Sequence, residues 1–94
     1  MTHAPAHRPP DAVRVVVEDV PDLDDRVRSA ARRAHASERA LELVEPSIAL
    51  GDHAARARMI RHMDEALEVA RQAAPGVEIR VGAPIPLPRP RATP

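Results

Sequence analysis

The residue types that could do chemistry concentrate in one stretch, VEPSIALGDHA, at residues 44–54. Ser47, Asp52 and His53 are the types of a nucleophile, an orienting acid and a general base. A triad requires the base to reach the nucleophile, and neighbours within one turn rarely converge in that way. No glycine flanks Ser47 as in a G-x-S-x-G nucleophile elbow. The stretch therefore indicates a joint between two helices, in which Asp52 caps the second helix and His53 takes its first helical position.

The five histidines raise the question of a metal site. Helical metal ligands usually appear as H-x-x-x-H or E-x-x-H, and no histidine in a predicted helix has that spacing. His3 and His7 lie four apart, but in a proline-rich segment. His35 and His62 would approach each other near Glu65 if their helices formed a hairpin, which favours a surface charge cluster over a ligand set. The sequence predicts no catalytic residue, no cofactor and no metal ligand.

Composition limits what can position such residues. The chain has 94 residues and no Phe, Trp, Tyr or Cys, so we expect one domain with a thin aliphatic core and no disulfide. No segment has the ~20 apolar residues of a membrane span, and the start MTHAPAHRPPDA lacks the apolar run of a secretory signal. We therefore expect a cytoplasmic protein. The 14 basic residues balance the 14 acidic ones, which disfavours nucleic-acid binding.

Hydrophobic spacing predicts four elements. The stretch VRVVVEDV, residues 13–20, places Val13, Val15 and Val17 on one face of a strand. Residues 22–45 carry apolar side chains spaced 4-3-4-3, which predicts one long helix after the N-cap Asp22. A second helix is expected from Asp52 to the Pro75-Gly76 stop. The alternating segment VEIRV, residues 77–81, is typical of a strand.

These elements predict an α+β fold of order β-α-α-β, with an antiparallel helical hairpin beside a two-stranded antiparallel ribbon. Gly51 is expected to reverse the chain with a positive φ. Folding there would bring the acidic end of the first helix level with the basic start of the second. Because two strands alone are marginally stable, we expect dimerisation to complete the sheet. The domain is predicted to span 13–82, between a disordered tail at 1–12 and an extended tail at 83–94.

Two sets of residues are candidates for binding. The C-terminal tail alternates prolines in a polyproline II pattern without a P-x-x-P motif, so it could lie along a partner's groove or simply be solubilising. Its candidate partner-binding residues are Pro84, Pro86, Pro88, Arg89, Pro90 and Arg91. The apolar strand face and the small or flexible helical residues are candidates for self-association. These are Val13, Val15, Val17, Ala30, Ala34, Met59 and Met63.

The sequence favours a small, non-enzymatic interaction or assembly protein that binds itself and a protein partner. The alternative is a small dimeric DNA-binding regulator, such as a ribbon-type repressor or an antitoxin, although VRVVVED offers a groove only Arg14. A third hypothesis is a small enzyme or ligand-binding domain with His35, His62 and Glu65 in a shared pocket. We expect no membrane interaction.

Overall fold

The computed structural model describes residues 11–84, which form three strands alternating with two helices. The order is β1-α1-β2-α2-β3. Their bounds are β1 Val13–Val16, α1 Leu23–Ala36, β2 Leu41–Val44, α2 His53–Ala73 and β3 Ile79–Gly82.

The strands form one parallel sheet in the order β1-β2-β3. Val13 lies opposite Leu41, and Leu41 lies opposite Ile79. The predicted β-α-α-β fold, with its antiparallel ribbon, is therefore wrong. The two strands expected to be neighbours are the two edges of the sheet, and a third strand lies between them. Each strand reaches the next through a helix, which is the connection that parallel strands require.

The long helix predicted over 22–45 breaks after Ala36, and its last residues become β2. The Ser37 hydroxyl donates to the carbonyl of Arg33 at 2.7 Å, and Glu38 then takes a left-handed φ of 56°. The Arg39 N–H donates back to the carbonyl of Ala34 at 2.9 Å, closing the helix end. This reversal sends the chain into the sheet.

Both helices pack on the same face of the sheet, which we call the inner face. Its strand residues are Val13, Val15, Val17, Leu41, Leu43, Ile79 and Val81. Since each helix returns the chain from the end of one strand to the start of the next, the helices run parallel to each other. The predicted antiparallel hairpin is thus also wrong, and within residues 11–84 no ion pair joins α1 to α2.

The core between the layers is aliphatic and thin, as the composition predicts. Leu41, Leu43, Val17 and Val27 are its largest fully buried side chains. Six of the fourteen buried apolar residues are alanines, and five of them belong to α1 and α2, which contact each other. The six are Ala30, Ala31, Ala34, Ala66, Ala70 and Ala74. The small side chains of α1 do admit a partner helix, and that helix is α2 of the same chain.

Two features predicted for the joint before α2 are confirmed, the positive φ of Gly51 and the cap at Asp52. Gly51 has a φ of +86°, a left-handed conformation that glycine adopts without steric cost. Asp52 accepts a hydrogen bond from the N–H of Ala55 at 3.0 Å and so caps the helix that begins at His53. What precedes this joint is a strand rather than a helix.

Candidate functional site

A cleft lies at the carboxyl ends of β1 and β2, the position at which open α/β sheets usually bind ligands. It has a volume of about 200 Å³ between the two strand ends and the first turns of α2. Five polar side chains line it: Glu18, Asp19, Ser47, Arg58 and His62. The parallel sheet therefore brings Ser47 and His62 to one site, which no feature of the sequence predicted.

The side chains of this cleft do not form a catalytic arrangement. His62 Nε2 lies 3.9 Å from Asp19 Oδ1, which is beyond hydrogen-bonding distance. In the described part of the chain, Ser47 makes no side-chain hydrogen bond to His62 or to any carboxylate. The cleft thus has the residue types of acid–base chemistry without a nucleophile held against a base.

The histidine cluster considered from the sequence is not assembled. His35 lies in the last turn of α1, at the amino ends of the strands, whereas His62 lies near their carboxyl ends. Glu65 shares a small cleft with His62, but His35 does not reach it. Among residues 11–84, no group of three or more potential ligand side chains is placed to hold a metal ion.

Among residues 11–84, no helix covers the opposite face of the sheet, which we call the outer face. Its residues form two cross-strand rows: Arg14–Glu42–Arg80, and then Val16–Val44–Gly82. The guanidinium of Arg14 donates to Glu42 Oε1 at 2.9 Å, and Val16 is 42% exposed. The outer face thus combines a charged row with a short apolar row.

Gly82 lies in close contact with the Glu42 side chain of the neighbouring row. A Cβ at this position would collide with the carboxylate of Glu42. The absence of that side chain lets Glu42 lie flat over the end of β3 while it pairs with Arg14. The strand cannot continue its ladder at Pro84, because proline has no N–H to donate to β2.

On β3, Arg80 forms a second ion pair. Its guanidinium donates to Glu78 Oε2 at 2.9 Å. That hydrogen bond, together with the positive charge, lowers the pKa of the Glu78 carboxyl below its ordinary value of 4.5. Glu78 correspondingly raises the pKa of Arg80. Both side chains are solvent-exposed, so each remains available to a second partner.

Both edges of the sheet are open in the described residues. The N–H groups of Val13 and Val17 donate to β2, which directs the backbone groups of Arg14 and Val16 away from the sheet. Beside this free edge of β1, an open groove of about 500 Å³ runs against α1. At the other edge, β3 lacks a neighbour on the side away from β2.

The residues predicted for self-association lie mainly inside this fold. Val17, Ala30 and Ala34 are buried between sheet and helices, as are Met59 and Met63. Val13 and Val15 are half-buried on the inner face. Of the predicted partner-binding tail, Pro84 is half-buried just after β3. The remaining residues lie outside the described part of the chain: Pro86, Pro88, Arg89, Pro90 and Arg91.

Sequence reasoning missed the outer face because it missed β2. Glu42 was assigned to a helix, so its pairing with Arg14 and its approach to Gly82 had no basis. The available signal was the alternation in LELV, where Leu41 and Leu43 share one side of a strand and Glu42 the other.

The chain matches no protein-family model, no curated protein and no solved structure. Neither α1 nor α2 is long and apolar enough to cross a membrane.

Proposed function

We propose that this chain is a small, non-enzymatic interaction protein that associates with itself and binds a protein partner through its sheet. A chain without cysteine suits a reducing compartment, so we place this role in the cytoplasm.

The observation that carries the proposal is a parallel sheet that, within residues 11–84, has no helix on one face and no strand beyond either edge. Parallel sheets are almost always covered on both faces, because their crossover helices pack on either side. Here both helices lie on the inner face, which leaves Val16 and the charged row of Arg14, Glu42 and Arg80 on the surface. An unpaired strand edge is also a template for another chain. These features suit a surface that a second protein covers.

The state of the carboxyl-end cleft supports a non-enzymatic role. Among the described residues, Ser47 donates no hydrogen bond to a base, and the ring of His62 donates none to Asp19. A nucleophilic site needs its base oriented by a hydrogen bond to a third group, and at 3.9 Å His62 and Asp19 do not form one.

The alternative of a ribbon-type DNA-binding regulator has no comparable support. Such proteins insert a two-stranded β-ribbon into a groove. In this chain β1 pairs in parallel with β2 and holds Arg14 against Glu42, so its only basic side chain is already matched by a carboxylate.

The protein partner is best placed on the outer face. A binding segment with its own alternation of charge and small apolar side chains would meet the row Arg14–Glu42–Arg80 and the exposed side chain of Val16 beside it. The proline- and arginine-containing tail follows β3 directly, so it could add contacts to the same partner.

Sedimentation equilibrium of the full chain, from about 10 μM to 1 mM, tests self-association. Because the chain has no aromatic residue, concentration must be followed by interference optics. We expect the mass to rise above 10.2 kDa with concentration. A constant monomer mass across this range would contradict the proposal.

Amide hydrogen exchange locates the contact. At high concentration we expect slower exchange in β1 or β3, where edge amides become paired. The solvent-facing side of α1, for which Arg32 is representative, serves as an internal control and is expected to exchange at an unchanged rate. Protection confined to the helices would show that the sheet is not the binding surface.

A further inference from the structure

On the side of β3 away from β2, backbone hydrogen-bonding groups point toward the edge of the described sheet. The Leu41 N–H donates to the carbonyl of Glu78 at 2.8 Å, and the Glu45 N–H donates to that of Gly82 at 2.9 Å. In a strand, alternate residues direct their backbone groups to opposite sides. The backbone groups of Ile79 and Val81 therefore point away from β2, toward the open edge.

Exposed apolar side chains lie along this same edge. Val81 is 51% exposed although its neighbour in the sheet, Leu43, is fully buried beneath the helices. On α2, Ile60 is 52% exposed and Leu67 is half-buried two turns later on the same stripe.

The direction in which Ile60 and Leu67 point follows from the rotation per residue along α2. His62 lies next to Asp19, in the connection between β1 and α1, so its side of α2 faces α1. At about 100° per residue, Ile60 and Leu67 point roughly 140–160° away from His62, toward β3. The apolar side chains of Ile60 and Leu67 on α2 therefore lie beside the open edge of β3.

The segment around the start of β3 is symmetric in character about Ile79: Val77 and Glu78 precede the strand, and Arg80 and Val81 belong to it. When two identical strands pair antiparallel about a two-fold axis through the sheet, opposed residues share a face, so one residue lies opposite itself. An axis at Ile79 sets Glu78 opposite Arg80 of the partner subunit, twice. An axis at Glu78 or at Arg80 would instead set like charges opposite each other, which is destabilising.

We propose that two copies pair through β3, antiparallel about Ile79, to form one continuous six-stranded sheet from the two three-stranded sheets. Opposed charges select this register on the outer face. On the inner face, the second copy covers Val81 together with Ile60 and Leu67 of α2. Each Glu78 then lies between its own Arg80 and the partner's Arg80. The inference rests on the proposed self-association and specifies its surface and register.

Charge reversal tests the register. Arg80→Glu gives a strand with two acidic residues, and Glu78→Arg gives a strand with two basic residues. Each single variant is expected to weaken its own dimer by about tenfold or more, equivalent to about 1.4 kcal/mol. The two variants mixed are expected to form a heterodimer, and the double exchange, Glu78→Arg with Arg80→Glu, is expected to restore the homodimer. Sedimentation equilibrium measures the affinity of each homodimer, and native mass spectrometry detects the heterodimer.

Mixing the two single variants distinguishes the Glu78–Arg80 contact between chains from the Glu78–Arg80 pair within one chain. Each single variant also breaks the Glu78–Arg80 pair of its own strand, but only contact between chains allows one variant to rescue the other. Arg32→Glu makes the same change of charge on the exposed side of α1 and is expected to leave the dimer unchanged.

The outcomes distinguish this inference from the broader proposal. A wild-type chain that stays monomeric would overturn both. A wild-type dimer that Arg80→Glu leaves intact, or single variants that do not form a heterodimer when mixed, would overturn the β3 register while self-association through another surface stands. Circular dichroism of each variant confirms that it is folded before association is measured.

Discussion

Replacing Glu38 by glycine should stabilise the protein. Glu38 is the only non-glycine residue between 11 and 84 with a positive φ, at 56°, and it lies where α1 turns into β2. Its N–H donates to the carbonyl of His35 at 3.2 Å, and the next N–H donates to that of Ala34 at 2.9 Å. These bonds keep the backbone in a left-handed conformation that glycine adopts without a Cβ clash.

The expected gain is the difference of two backbone effects. A left-handed conformation costs an L-residue about 1–2 kcal/mol, which glycine avoids. Glycine loses more conformational entropy on folding, by about 0.5–1 kcal/mol. Removing a carboxylate from the negative end of the α1 dipole adds about 0.3 kcal/mol. We expect Glu38→Gly to raise the free energy of unfolding by about 0.3–1.8 kcal/mol, and the Tm by several degrees.

Urea unfolding followed by circular dichroism at 222 nm measures this effect, since the chain has no aromatic residue for fluorescence. Glu38→Ala removes the same charge but keeps the Cβ, so it is the matched control and should gain much less. If α1 continued through this position, glycine would instead destabilise the chain by about 1 kcal/mol. A lower urea midpoint for Glu38→Gly than for Glu38→Ala would therefore refute the left-handed turn.

Three further predictions follow from buried, capping and charged groups. Leu43→Ala should cost about 2–5 kcal/mol, because the side chain is fully buried in the central strand; thermal unfolding measures the loss, and a cost below about 1 kcal/mol would contradict the position of β2. Asp52→Ala should cost about 0.5–2 kcal/mol by removing a cap, whereas Asp22→Ala should cost less, since Asp22 makes no capping hydrogen bond; equal urea midpoints for the two variants would contradict this difference. The pKa of Glu78 is depressed by Arg80, so the stability from this pair is present above the ordinary value of 4.5 and lost as the pH falls through the lowered pKa. Arg80→Gln should raise the pKa of Glu78 toward its ordinary value in a carbon-13 NMR titration, and an unchanged pKa would show that the pair does not form in solution.

Much of the local structure could be predicted from the sequence. The strand at β1 follows from β-branched residues, and the turn at Gly51 and the cap at Asp52 follow from turn and capping chemistry. The start of α1 was also predicted, although Asp22 makes no capping hydrogen bond there. Each depends on residues that are close in the chain, where propensity and side-chain hydrogen bonds decide the outcome.

The topology could not be predicted, because one short segment was ambiguous. Leu41 and Val44 continue the helical spacing of α1, while Leu41 and Leu43 fit the alternation of a strand. Only the sheet decides between them, since as a strand the segment buries both leucines completely between two neighbours. Once β2 is recognised, alternating strands and helices predict a parallel sheet.

The surfaces predicted for self-association depended on the same choice between a helix and a strand at residues 41–44. Met59 and Met63 looked available for another copy because the sequence shows which side chains are apolar but not which layer covers them. The structure uses them within the chain and leaves Val16, Ile60 and Val81 outside.

The buried alanines of α1 and α2 also constrain how this protein can change over generations. A methyl group can be trimmed only to glycine, so nearly every other substitution there must insert atoms where two backbones already lie close. Such a chain can lose volume at its few leucines and valines but can scarcely gain any along the helix contact. Variation should therefore accumulate on the solvent side of the helices, while the alanine positions of a diverging lineage stay small or shift only together.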